Sequence, residues 1–191
     1  MHRFEVTESD GDRDLDEILR LQRENLPAQL SPEESAREGF VTVQHTREAL
    51  AQMHALAPSI VARRDGVFAG YALTMPPEAR ACAPILAPMF QQLDERLAGR
   101  RYYVMGQICI ARPFRGQGLF DHLYAAQFQH CRARWDLCVT EVSLDNPRSL
   151  RAHQRLGFTP LSQHDRWVVL SSEIRGHHTN LRPASEDSGR R

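Results

Sequence analysis

Apolar residues change their spacing along this chain, and that change marks out strands and helices before any motif is considered. Phe4 to Thr7 read as a first strand. From Asp14 or Asp16 onward, Leu15, Ile18, Leu19 and Leu21 fall on one face of an amphipathic helix. Ser31-Pro32-Glu33-Glu34 has the make-up of a helix start, with an N-cap hydroxyl, a proline at the first position and a glutamate placed to bond back. Phe40 to Val43 read as a short strand, and Thr46 opens a helix that carries Leu50, Met53 and Leu56. Ser59 to Arg64 and Val67 to Thr74 alternate around Asp65-Gly66, a dipeptide suited to the tight turn of an antiparallel hairpin. Residues 76–100 add a helix. Tyr102 to Ile110 (YYVMGQICI) is rich in β-branched and aromatic residues and reads as a strand. After it, Leu119, Leu123, Tyr124, Phe128, Cys131 and Trp135 recur at helical spacing. A hairpin followed by strand–helix–strand units predicts an α/β fold with a mixed, mostly antiparallel central sheet and flanking helices.

Composition narrows the class. At 191 residues the chain is sized for one domain with a single core, placed at residues 1–174. Residues 175–191 are polar and aperiodic and read as a disordered tail. Lys+Arg and Asp+Glu both number 24, so no bulk field draws nucleic acid or a membrane surface. The start MHRFEVTESD lacks an apolar leader and no apolar run is long enough to span a bilayer, so neither secretion nor membrane insertion is expected. Cys82, Cys109, Cys131 and Cys138 have no C-x-x-C spacing and read as free thiols in a reducing, cytoplasmic setting. His122 and His130 lack metal-ligand spacing, and His177-His178 sit in the tail, so no metal is expected.

The chemistry concentrates between the Tyr102–Ile110 strand and the helix that follows. Arg115-Gly116-Gln117-Gly118 is a glycine-punctuated turn into a helix N-terminus, where unpaired N–H groups and the helix dipole favour an anion. A Walker loop requires a lysine, and the chain has none. A dinucleotide fingerprint requires a third glycine, and Asp121 stands there, a carboxylate that would repel phosphates. The remaining pattern, strand then R-G-Q-G-L-F then helix, resembles the acyl-coenzyme A pyrophosphate loop of the GNAT N-acetyltransferase superfamily. Arg115 and Gly118 match it, while Phe120 stands where glycine or alanine is usual. A second block, EVSLDNPRSLRAHQRLGF, resembles the family's ending: Asn146, Ser149 and Leu156-Gly157-Phe158 fall in its order and spacing.

That resemblance implies an acyl-CoA-dependent N-acyltransferase, moving acetyl from acetyl-CoA to a primary amine by direct attack in a ternary complex. It implies that the backbone of Ile108, Cys109 and Ile110 pairs with pantetheine. The loop Arg115, Gly116, Gln117, Gly118, Leu119 and Phe120 would hold the pyrophosphate, and Asn146 would bond the cofactor arm. Glu141 is the expected general base, matching a glutamate of the ribosomal-protein N-terminal acetyltransferases. His153 occupies the place of a tyrosine proposed as general acid, and an imidazole with a pKa near 6.5 can donate at neutral pH. Gln107 stands near a strand glutamate of some relatives and cannot act as a base. Cys109 reads as a structural thiol, and the neighbours Ser162, His164 and Asp165 do not make a nucleophilic triad. Residues 25–57 and 76–100 are long for the family and either wall the acceptor side or extend the scaffold. Acceptors left open are small-molecule amines and peptide N-termini; a homodimer is also open. The rival reading is a catalytically silent acyl-CoA-binding sensor or regulatory module.

Overall fold

A computed structural model describes residues 3–175, so the expected tail at 175–191 lies outside the described residues except for Arg175. The strands are β1 (Glu5–Glu8), β2 (Ile60–Arg64), β3 (Val67–Met75), β4 (Tyr102–Ile110), β5 (Leu137–Ser143), β6 (Thr159–His164) and β7 (Trp167–Glu173). The helices are α1 (Gly11–Glu24), α2 (Pro32–Glu38), α3 (Arg47–Leu56), α4 (Ala87–Arg96), α5 (Leu119–Cys131) and α6 (Pro147–Arg155).

One seven-stranded sheet runs β1-β2-β3-β4-β5-β7-β6. Every neighbour pair is antiparallel except β4–β5, which is parallel. The expected mixed, mostly antiparallel sheet is therefore the observed one. Asp65 and Gly66 take left-handed φ values of 52° and 76°, the conformation a two-residue hairpin turn requires. Ser31 caps α2 through both halves of a capping box, as its sequence predicts.

Two expectations change. The first helix starts at Gly11, before Asp14. Asp14 instead accepts from the Asp10 N–H at 2.6 Å and pairs with Arg63 across the core. Residues 40–43 form no strand. Two of their carbonyls accept from side chains, Phe40 O from the Asn146 amide and Val43 O from that of Gln107, while the Val41 N–H bonds Asn25 O at the end of α1. The segment is a strap laid across the sheet.

Helices cover both faces. Gln127 of α5 bonds Thr74 on one side. Tyr71, three residues earlier on the same strand and so on the opposite face, meets Gln107 beneath Gln22 of α1. The register of β3 on β4 slips between Leu73 and Thr74, leaving Gly106 as the extra residue of a bulge. The bulge bends β4 just where it leaves β5. Parallel pairing covers only Tyr102–Val104 with Leu137–Val139, and beyond it the two strands part. That parting is the feature on which the site is built.

Candidate active site

Where β4 and β5 separate, a cavity of ≈ 450 Å³ opens between β4, α6, the strap and the N-terminus of α5. This is within the usual range of small-ligand sites. A smaller hollow continues from it through the sheet, lined by Gln107, Glu141, Ser149, His153 and Trp167. Ser149 borders both.

The loop geometry follows from its glycines. Gly116 and Gly118 have φ of 71° and 77°, a left-handed conformation that side chains rarely adopt. A Cβ on either would meet nothing within 4 Å, so the loop backbone faces open space. The first intrahelical bonds of α5 run from the Asp121 and His122 N–H groups to Gly118 O. The N–H groups of Leu119 and Phe120 therefore remain for a ligand. The Leu119 side chain is core. On β4, the Ala111 N–H bonds Ala69 O on the β3 side. Strand alternation then turns the peptide groups of Ile108 and Ile110 toward the gap, and that of Cys109 away from it. Four of the expected cofactor positions, Ile108, Ile110, Leu119 and Phe120, thus offer backbone groups to one opening. Cys109 is buried, and burial pushes its thiol up to about 12, which leaves it protonated and inert.

Three side chains singled out by motif are spent on structure. Arg115 donates Nε to Ile110 O at 3.0 Å and an Nη to Asn25 Oδ1 at 2.5 Å, tying the loop to the end of α1. Gln117 donates to Pro113 O at 2.8 Å and accepts from Arg64 at 2.6 Å. The Asn146 Oδ1 caps α6 by accepting from the Ser149 N–H at 3.2 Å, while its Nδ2 holds Phe40 O at 3.1 Å. The expected repulsion from Asp121 is cancelled by Arg155, which donates both outer nitrogens to its carboxylate at 2.7 Å.

Phe120 leans over Tyr124 and His153, with ring centroids 5.1 and 5.3 Å away. It also lines the larger cavity, so it packs and narrows at once. Beneath it His153 is sealed, at 1 % exposure. Its Nδ1 lies 2.7 Å from Ser149 O, a pure acceptor, so Nδ1 carries the proton. Nε2 must then accept from the Tyr124 hydroxyl at 2.7 Å. Burial pushes the imidazole down to about 4. This corrects the basis on which a proton-donor role was expected. An imidazole that is neutral at pH 7 and engaged at both nitrogens lacks the readily given proton of an imidazolium. His153→Phe should cost about 1–3 kcal/mol in urea melts, because Tyr124 keeps a buried hydroxyl without a partner. Adding Tyr124→Phe should recover part of that loss. Additive losses in the double variant would contradict the pairing.

Glu141 lies across the gap on β5, half-buried beside the smaller hollow. Its Oε1 is 2.6 Å from His164 Nε2, reached across β7 from β6. Burial pushes its carboxyl above the usual range, and the bond and charge of His164 pull the other way. His164 was set aside in the sequence, since nothing in linear spacing shows a partner two strands away. The His45–Gln22–Gln107–Tyr71 cluster was equally hidden. Among the described residues no group of His, Cys, Asp or Glu is arranged to hold a metal ion, and no helix is long and apolar enough to cross a membrane.

The family model described as the acetyltransferase (GNAT) family matches residues 15–158. Among solved structures, FeeM, an N-acyl amino acid synthase from uncultured soil microbes, superposes with a TM-score of 0.68 at 13% identity, covering 91% of this chain and 92% of its own. The ribosomal-protein-S18-alanine N-acetyltransferase from Escherichia coli gives 0.61 at 13% identity, with 94% and 99% covered. Arabidopsis thaliana Naa50 in complex with the bisubstrate analogue CoA-Ac-MVNAL gives 0.61 at 13% identity, with 88% and 97% covered. No curated protein matches this chain in sequence.

Proposed function

Because this chain belongs to the acetyltransferase (GNAT) family, we propose that it transfers acetyl from acetyl-CoA to a primary amine by direct attack in a ternary complex. The observation that carries this reading is the parting of β4 from β5 after three residue pairs, with the open α5 N-terminus at one end of the gap and Glu141 at the other. The residues present fit the co-substrate. The N–H groups of Leu119 and Phe120, and the backbone of Gly116 and Gly118, form a cradle for a pyrophosphate. The peptide groups of Ile108 and the N–H of Ile110, whose carbonyl already accepts from Arg115, pair with the pantetheine arm as an added strand would. When bound, acetyl-CoA supplies an activated thioester.

Everything else is the work of the chain. Glu141 accepts a proton from the substrate's ammonium, which frees the amine lone pair to attack the thioester carbonyl, and the bond from His164 holds its carboxylate in place. Burial raises the carboxyl's proton affinity and so brings its pKa closer to that of the amine. His153 borders the smaller hollow and, through its bond to Tyr124, ties α6 to α5. As the C–S bond breaks, the nitrogen gives up its second proton and the leaving thiolate gains one, both by exchange with solvent at the mouth of the larger cavity.

Since His164 lowers the Glu141 pKa, His164→Ala should raise it further. The acid limb of kcat/KM against pH should then move to higher pH, and activity below neutrality should fall while the plateau above is retained more fully. An unshifted limb would remove His164 from the account. The reading as a whole is tested by thiol release from acetyl-CoA across a panel of amines, amino acids and peptides. Tight acetyl-CoA binding with no release on any acceptor would leave a silent acyl-CoA-binding module.

A further inference from the structure

The amide of Gln107 has its orientation dictated by a chain of partners that ends at a backbone N–H. The His45 N–H donates to Gln22 at 2.8 Å, which makes that atom of Gln22 the oxygen. The Gln22 nitrogen then donates to the Gln107 oxygen at 2.9 Å and to His45 Nδ1 at 2.9 Å. Tyr71 donates its hydroxyl to the same Gln107 oxygen at 2.5 Å. Both lone pairs of that oxygen are therefore taken. The Gln107 nitrogen donates one hydrogen to Val43 O at 2.8 Å. Its second hydrogen has no partner among the described residues, and the side chain borders the hollow that Glu141 also lines. What Gln107 can offer that hollow is an N–H, never a carbonyl.

We infer that Gln107 selects acceptors in which the carbon bearing the amine also carries a carbonyl oxygen, by donating this N–H to that oxygen. Amino acid amides and peptide N-termini share the required chemistry; plain alkylamines lack it. The inference rests on the acetyl-transfer reading for its setting and deepens it. A buried donor with no alternative partner discriminates strongly, because an acceptor without the oxygen leaves the donor unpaired in a desolvated site. The bulge in β4 leaves Gln107 and Glu141 lining one hollow, the amide on β4 and the carboxylate on β5.

L-alaninamide and 2-aminobutane make a matched pair of probes, and comparing each variant with wild type on the same amine cancels their different basicities. Gln107→Met should lower kcat/KM for L-alaninamide by about tenfold more than for 2-aminobutane, with the excess in KM. Tyr71→Phe, which keeps Gln107 but frees its oxygen, should shift the ratio in the same direction by less. Calorimetry of L-alaninamide onto the CoA-loaded protein should show the same weakening in Gln107→Met without relying on turnover. Equal losses on both amines, in variants that melt like wild type, would overturn the inference and leave acetyl transfer standing. Weakened L-alaninamide binding in a protein that releases no CoA with any amine would do the reverse.

Discussion

Exchanging Gly116 and Gly118 together for valine is expected to abolish acetyl-CoA binding in calorimetry, with the circular dichroism of the fold retained. Both residues sit at left-handed φ, where a β-branched side chain is strained by roughly 1–3 kcal/mol per site. The loop must shift to relieve that strain, and shifting it scatters the N–H groups that face the cavity. The new side chains would also occupy space that is open in this structure, since nothing lies within 4 Å of either would-be Cβ. Gly118→Ala is the gentler companion and should weaken binding while leaving it measurable. Gly118→Pro is a poor test, because a proline held near φ −65° cannot take the observed 77°. Unchanged affinity in the double variant would remove the loop from the cofactor site.

Glu141→Gln should lower kcat by about 10²–10⁴-fold, the usual contribution of a positioned general base, with acetyl-CoA affinity kept. Glutamine has the shape to keep a bond to His164, so the loss can be assigned to the missing base. The pH dependence carries the sign. Below its raised pKa the wild-type carboxyl is protonated and cannot accept, so the wild-type rate falls on the acid side. The variant has no such group and loses that limb. At high pH the amine is already free, so the gap between the two proteins should narrow. A variant with full activity from neutral pH to pH 9 would sink the assignment.

The parts of the fold that were legible in the sequence are those decided locally. The Asp65-Gly66 hairpin, the Ser31 capping box and the α5 face from Leu119 to Cys131 each depend on residues within a few positions of one another. The site loop was legible for the same reason, since left-handed glycines before a helix are a local requirement. What could not be read depends on partners far along the chain. Residues 40–43 read as a strand, but the carbonyls of Phe40 and Val43 are claimed by Asn146 and Gln107 and the Val41 N–H by Asn25 O. Asn146 and Arg115 were singled out by position, while each also makes a side-chain bond to a residue 90 or more positions away, Phe40 and Asn25. His153 was judged by its residue type. Its setting among Phe120, Tyr124 and Phe158 decides its proton affinity, and those rings converge only in the folded molecule.

The most direct test of acyl transfer inside the parted sheet follows the acetyl group itself. Protein, acetyl-CoA and an acceptor amine are mixed, and intact protein mass, acetylated amine and free CoA are measured from one reaction. Direct attack predicts acetylated amine and free CoA in equal amounts, with the protein mass unchanged throughout, including before the amine is added. Acetyl carried on the protein, or acetyl-CoA bound but never consumed by any acceptor, would contradict it.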